Sequence, residues 1–330
     1  MKSKEKSRSG SPAVKEGAGR VGRGGERESR SASPSSRRAR GKTVVVVGAG
    51  RMGTALARAL AACGYEVRAL VSRTAAHARR ASERAGLKTL ALGVGQLERL
   101  PEAGLLFVTT PDDRVAETAA RLAALPGLRA SVALHASGAL SSEVLAPLGA
   151  RGVRVGSMHP LASVSEPEAG ARSLGGAFYC VEGEPAAVRV ARRVVRDLGG
   201  QSFQVESRHK PLYHAAALMA AGHVTALFDV ALDALARCGL TERRAQSVLL
   251  PLLGSVVENL SSLPPGRALT GSFARADAET VRKHLLALRS LDDPEALAVY
   301  LLLGERSLKL AERAGADPEA VEKVRRILNG

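Results

Sequence analysis

Cysteine is scarce in this chain. Cys63, Cys180 and Cys238 lie far apart and form neither a CxxC pair nor an even framework. That excludes a disulfide scaffold and suits a reducing cytoplasmic setting. No run of 18 or more apolar residues occurs, so no membrane-spanning helix is expected. The first residues lack an apolar core segment, which argues against a secretory signal. No internal repeat is visible. What is present is an ordinary globular composition, 45% hydrophobic over 330 residues, enough for two domains.

Positive charge is in excess, at +16, but it is unevenly placed. Residues 1–42 carry 13 Lys/Arg against 4 Asp/Glu, and the remaining 288 carry 35 against 28. The segment 1–41 is rich in Ser, Gly and Arg and nearly devoid of apolar residues, so it is expected to be a disordered basic tail. Non-specific attraction to polyanions is its alternative use, and a mitochondrial presequence fits poorly because four acids interrupt it. No specific nucleic-acid partner and no membrane partner are expected.

From Thr43 the pattern changes. Val44–Val47 reads as a buried parallel strand, followed by a Gly-rich turn and a helix to about Ala62. Further strands are expected at Glu66–Val71, Thr89–Ala91, Leu105–Thr109, Ser131–Leu134, Val153–Met158, Ala177–Val181 and Gln201–Val205. Helices at Ala75–Ala85, after Asp112, and at Pro185–Leu198 alternate with them. Beyond about Glu206 the strands stop. Pro211–Arg237, Thr241–Leu260, Ala278–Leu288, Glu295–Ala314 and Pro318–Leu328 read as helices. The expected fold class is an α/β Rossmann NAD(P)-binding domain with an all-α C-terminal domain. Its parts are residues 42–157 as the Rossmann core, 158–205 as a continuation of the sheet, and 206–330 as a helical substrate and dimerisation domain.

Gly48-Ala49-Gly50-Arg51-Met52-Gly53 is GxGxxG with a strand before and a helix after, the context that dinucleotide binding requires. Gly48 allows the tight turn, Gly50 lets a pyrophosphate approach, and Gly53 lets helix and strand pack closely. A Gly-rich turn used only for packing is the bland alternative. The second strand ends Ser72-Arg73-Thr74, with no acid to hold a ribose 2′-hydroxyl. Arg73 with the two hydroxyls suits a 2′-phosphate, so the expected cofactor is NADP(H) rather than NAD; Arg73 as a solvated loop charge is the alternative. Thr109-Thr110-Pro111 and Ser137-Gly138 follow later strands and are expected to border the nicotinamide, with Asp112 as a helix cap.

Together with Gly156–Leu161, Lys210–Ala217 and Ala268–Asp277, these segments resemble a family of Rossmann-like NADP oxidoreductases carrying a helical C-terminal domain of unknown function. The resemblance covers roughly residues 43–328 and places the chain in the 6-phosphogluconate dehydrogenase-like superfamily, beside ketopantoate reductase, pyrroline-5-carboxylate reductase, prephenate dehydrogenase and the β-hydroxyacid dehydrogenases. It implies the fold and the cofactor but no substrate. Ser272 and Ala276 stand where the family usually has Pro and Gly, and His223 where Asn is common.

β-Hydroxyacid dehydrogenases and ketopantoate reductases place a Lys, and a polar group four residues on, beside the substrate. Lys210 and His214 match that spacing, and burial can tune either toward proton donation. Pro211 is expected at the first helical position, which would make Lys210 the N-cap. His159 is a further candidate acid or carboxylate ligand, Ser137 a further catalytic candidate, and Gly138 and Arg275 candidate substrate contacts. A surface Lys210 and structural histidines are the alternatives. Asp277 is expected to cap a helix, and His209 with His214 does not suggest a metal. The expected function is an NADP(H)-dependent oxidoreductase of a small polar carbonyl, imine or hydroxyacid, working as a homodimer. A non-catalytic NADP-binding sensor is the alternative.

Overall fold

One eight-stranded sheet organises residues 43–203, in the order β3-β2-β1-β4-β5-β6-β7-β8. In this computed structural model residues 42–291 and 293–330 are described; the expected tail 1–41 lies outside them. The strands are β1 Thr43–Val47, β2 Glu66–Ser72, β3 Leu90–Gly93, β4 Ala103–Val108, β5 Ala130–His135, β6 Arg154–Pro160, β7 Phe178–Gly183 and β8 Gln201–Phe203. All neighbours pair in parallel except β6 and β7, which are antiparallel.

Alternating residues of each strand feed two cores, as the period of two requires. Val44 and Val46 of β1, Leu134 of β5 and Tyr179 and Val181 of β7 pack with helices α1 Arg51–Ala62, α4 Pro167–Leu174 and α5 Pro185–Asp197. Val45 and Val47, Ala133 and Val155 face the other side, under α3 Asp112–Ala123 and the turns around Leu145 and Leu148. Helix α2 Ala75–Ala85 follows β2, capped by the Thr74 hydroxyl.

The helical half begins at α6 Lys210–Ala220 and continues through α7 Gly222–Arg237, α8 Glu242–Ser262, α9 Ala278–Arg289, α10 Pro294–Arg313 and α11 Pro318–Asn329. The single helix expected over Pro211–Arg237 is two, because the backbone leaves the helical region at Ala221 (φ −128°, ψ −76°) just before Gly222. A small core of Val281, Leu285, Leu308, Val321, Val324 and Leu328 joins α9, α10 and α11. Helices α6 to α8 differ: Lys210 and Ala245 are their buried residues, and Leu212, Met219, Leu252 and Val257 are 61–73% exposed. The stretch Ser207–Arg237 is therefore long and apolar enough, by length and composition alone, to cross a membrane. The expectation of no such stretch missed it because scattered polar residues such as His214, Asp229 and Asp233 interrupt the apolar run.

Candidate functional site

The β1–α1 turn is built by steric necessity. Gly48 has φ +115°, and a Cβ there would sit 2.5 Å from the Thr109 carbonyl carbon and the Thr110 nitrogen. A Cβ on Gly53 would lie 2.1 Å from the Gly48 oxygen, so helix and turn touch only because it is glycine. Gly50 is different: a Cβ there would meet nothing within 4 Å. It faces open space, and α1 begins after it with no side-chain cap on its first amides.

That space is a cleft of about 1250 Å³. Gly48, Ala49, Gly50, Arg51, Met52, Ser72, Arg73, Thr109, Thr110 and Pro111 line it, as the sequence led us to expect. Gly53 does not; it is a packing residue. Nor does Thr74, whose hydroxyl accepts the His77 amide at 3.2 Å as the α2 cap. Basic side chains that the sequence reading did not single out join the wall: His77, Arg80 and Arg84 from α2, and Arg114 and Arg121 from α3. Their spacings, 77-80-84 and 114-121, put each set on one helical face, which is the signal that could have found them. Thr110 Oγ1 is buried without a partner at the end of β4.

Beside the cleft a polar row crosses the sheet. Register places His135 of β5 opposite Ser157 of β6, and Ser157 opposite Glu182 of β7. One step on, His159 lies opposite Cys180, and Cys180 opposite Phe203. All point to the face that the start of α6 covers. His135 is fully buried; it takes the Ser137 amide on Nδ1 at 3.2 Å and engages the Ser141 carbonyl through Nε2 at 3.2 Å. Burial, then the Lys210 charge, pushes its pKa down to about 4.

Lys210 descends into this row and is 0% exposed. Its ammonium donates to the Ser157 hydroxyl at 2.8 Å and the Ser137 carbonyl at 3.3 Å, and stands 4.0 Å from Glu182 Oε2. Glu182, 6% exposed, accepts from the Ser142 amide and hydroxyl, the Ser157 hydroxyl and the Ser207 hydroxyl. Burial works against the carboxylate, but these hydrogen bonds and Lys210 hold its pKa below the usual value. Burial also lowers the Lys210 pKa, against the pull of Cys180, Glu182 and Asp112. Lys210 is not the N-cap: His209 is, and Lys210 is helical (φ −57°, ψ −42°) with Pro211 second. Its buried hydrogen bonds outweigh the bias of a pre-proline residue away from the helical region.

The Ser137 hydroxyl donates to Asp112 at 2.7 Å and accepts the amides of Ala139 and Leu140, so it orders its own loop. Asp112 is the first helical residue after an N-cap at Pro111, not the cap itself; the Ser137 bond draws its carboxylate across. Next in sequence, Gly138 is pressed by two imidazoles: a Cβ there would lie 2.3 Å from His214 Nδ1 and 2.9 Å from His159 Nε2. The two rings meet edge to face at 5.3 Å between centroids. His159 Nδ1 is 2.7 Å from the Tyr213 hydroxyl. Burial, then the neighbouring His214 ring and the Lys210 charge, pushes the His159 pKa down to about 4. His214 Nδ1 is buried without a partner.

Structure thus joins Ser137, Gly138, His159, Lys210 and His214 to one another and adds Glu182, Ser157 and Tyr213, but none of them is among the residues lining the cleft, which Ser137 and Gly138 were expected to border. Arg275 is exposed at the end of the short helical turn Gly271–Ala274 and shares none of these hydrogen bonds. Asp277 caps α9 as expected, accepting the Thr280 amide at 3.0 Å.

Family models match the two halves separately: a Rossmann-like domain at residues 28–160 and the domain of unknown function DUF2520 at residues 177–307. No curated protein matches. Among solved structures, the fold is similar to that of a candidate NADP oxidoreductase from Bacteroides fragilis (22% identity, TM-score 0.67, 82% of this chain and 99% of that one). A Thermotoga maritima protein is similar at 22% identity and TM-score 0.63, over 82% and 99% of the two chains. A Plasmodium falciparum pyrroline carboxylate reductase, solved with NADP bound, is similar at 11% identity and TM-score 0.52, over 87% and 98%. Matches to a Rossmann-like domain and to the domain of unknown function DUF2520 thus follow one another along the chain.

Proposed function

We propose that this chain is an NADP(H)-dependent oxidoreductase acting on a small polar carbonyl, imine or hydroxyacid. The observation that carries the reading is the cleft: an open glycine at an uncapped helix N-terminus, walled by Arg73, His77, Arg80 and Arg84. Such a helix end suits a diphosphate, and guanidinium groups suit a further phosphate. Ser72 ends β2 and Arg73 follows it, where an NAD site would place a carboxylate. The buried, unpartnered Thr110 hydroxyl leaves a hydrogen-bonding group for the ligand to satisfy. The NADP-bound pyrroline carboxylate reductase of the same fold agrees with this reading.

Gly48–Gly53 and the first turn of α1 would hold the diphosphate, and Ser72, Arg73 and Arg80 the 2′-phosphate side. When bound, the dinucleotide supplies a hydride. Near Gly138 the chain's own residues divide the work. Asp112 and Ser137 tie the β4 and β5 loops together, so that the end of the cleft and the imidazole pair hold a fixed relation. Lys210 and Glu182, both buried, are positioning residues that hold the Ser137 carbonyl and the base of α6. The proton-handling groups are His159 and His214, which lie against the loop that follows β5.

A second copy of the chain covers the exposed apolar faces of α6 to α8, giving a homodimer with a large apolar interface. Light scattering at micromolar concentration should give twice the chain mass, and a monomer would overturn this.

Titration of the purified protein tests the cofactor. NADPH should bind at least about tenfold tighter than NADH, equivalent to about 1.4 kcal/mol. Arg73→Ala should erase most of the difference, and equal affinities in the parent protein would overturn the assignment. A metabolite screen following NADPH absorbance then identifies the substrate; tight binding with no turnover across the screen would favour the sensor.

A further inference from the structure

We infer that Tyr213, His159 and His214 form a proton relay, with His214 Nε2 as its outer end and Tyr213 as its inner end. The relay rests on the oxidoreductase reading and says which atoms move the proton.

The argument begins with Tyr213. Its phenol is shifted well above the ordinary range by burial, so the hydroxyl keeps its proton. His159 Nδ1, at 2.7 Å, is the one hydrogen-bond partner of that hydroxyl among the described residues, so the relay assigns Tyr213 as the donor and Nδ1 as the acceptor. A neutral imidazole accepting on Nδ1 carries its hydrogen on Nε2. That N–H has an edge on Gly138, where His214 Nδ1 also sits. The two nitrogens lie 2.9 Å and 2.3 Å from one point, so they are at most about 5 Å apart. His214 Nδ1 is buried and has no hydrogen-bond partner. His159 Nε2 and the unpartnered His214 Nδ1 thus border the same point beside Gly138. A small rotation of either ring closes a His159 Nε2–H to His214 Nδ1 bond and removes the cost of leaving a buried polar atom unpaired. His214 then bears its hydrogen on Nε2, the nitrogen turned away from Gly138.

Glycine at 138 is what permits this approach, since any Cβ would drive into the His214 ring. The groups that face the pair are Tyr213, Lys210 and His135, with Phe203 backing the Tyr213 ring. Lys210 acts through the Ser137 carbonyl, one residue before Gly138, and sets the loop against which both rings lie.

The step balances as follows. As hydride adds to the substrate's carbonyl carbon, the C=O π pair moves to oxygen. That oxygen takes the proton of His214 Nε2. The His159 Nε2 proton passes to His214 Nδ1, and the Tyr213 proton passes to His159 Nδ1. Each imidazole ends neutral, and the half-buried Tyr213 oxygen regains a proton from water. The reverse sequence serves alcohol oxidation. His214 is the catalytic residue, and His159 and Tyr213 act through it.

Nitrogen-15 NMR of full-length protein labelled at histidine tests this without substrate. His159 and His214 should both show the Nε2–H tautomer. A through-hydrogen-bond N–N coupling should connect His159 Nε2 with His214 Nδ1. Tyr213→Phe should release His159 into a mixture of tautomers and abolish the coupling. His214→Gln should abolish the coupling while leaving the His159 tautomer in place. Both variants should bind NADPH within about twofold of the parent protein. A His159 Nδ1–H tautomer in the parent protein, a missing coupling, or a Tyr213→Phe spectrum identical to the parent's would overturn the relay. Failure of the parent protein to bind NADPH would instead sink the cofactor reading, and the NMR result would still decide whether the chain of hydrogen bonds exists.

Discussion

Lys210→Met should be among the costliest single substitutions in the sheet half. It removes an ammonium that is fully buried and 4.0 Å from Glu182, with the Ser157 hydroxyl 2.8 Å from the ammonium and 3.2 Å from the carboxylate. Two unit charges at that distance attract by about 4 kcal/mol at an effective dielectric constant of about 20. Desolvation cancels much of this when the pair forms, so the pair adds little net stability. Breaking it is another matter, because an uncompensated buried carboxylate remains, at a cost of about 3–5 kcal/mol. Against a total stability of about 5–15 kcal/mol, that is a large loss. Glu182→Gln should cost less, since an amide can still accept from Ser142 and Ser207. The informative measurement is the double-mutant cycle, read from urea unfolding at neutral pH. Lys210→Met/Glu182→Gln should recover about 1–3 kcal/mol relative to the sum of the single changes. The coupling should persist in high salt, because a buried pair is poorly screened. If Lys210→Met stays within about 0.5 kcal/mol of the parent protein, or the two changes simply add, the reasoning fails.

Two further outcomes separate structural from ligand-facing residues. Gly48→Ala should destabilise the fold by about 2 kcal/mol or more, through the Thr109 backbone clash and the left-handed conformation. Gly50→Val should leave urea stability within about 1 kcal/mol yet weaken NADPH binding at least about tenfold; similar effects from both would contradict the cleft assignment. Acid should unfold the protein early. His135 titrates near 6.5 when unfolded and about 4 when folded, so the unfolded chain binds the extra proton between those values. Stability is fully present above about pH 6.5 and falls toward pH 4, by up to about 3 kcal/mol from this residue. His159 adds to the same window. His135→Gln should flatten the dependence of the urea midpoint on pH, and an unchanged slope would show that His135 is not held neutral.

Much of the fold was legible in the sequence because its signals are local. The β-branched run of β1 and the glycines behind it fix a strand, a turn and a helix within twenty residues. The cap at Asp277 follows from side-chain length and spacing alone, whereas Thr74, expected at the 2′-phosphate, caps α2 instead. The antiparallel step from β6 to β7 was not legible, since strand direction depends on the connecting segment and not on strand composition. Glu182 went unnoticed for the same reason. A lone acid in an apolar strand reads as a solvent-facing position until Ser157 and Lys210 are known to lie across from it. Tyr213 sat inside a motif already noticed but drew no role, because its partner His159 is 54 residues away. Lys210 was placed one position too early by a rule about proline that its own burial overrode.

The antiparallel pairing of β6 with β7 makes the connection between them a parity device. Side chains alternate faces along a strand, so Cys180 and Glu182 share the face of Ser157 and His159 only in the observed phase. A slip of one residue would turn Tyr179 and Val181 toward Lys210 and send Glu182 into the aliphatic core beneath α5. Segment 161–177 is held by more than phase, because Ser163, Val164, Ser165 and Pro167 line the cleft and Leu174 joins the core. An insertion absorbed in this connection leaves the polar row in phase, whereas the same insertion absorbed within β7 exchanges the partner of Lys210 for a buried tyrosine. Length variation among proteins of this architecture should accordingly be tolerated by the polar row before Phe178 and not beyond it.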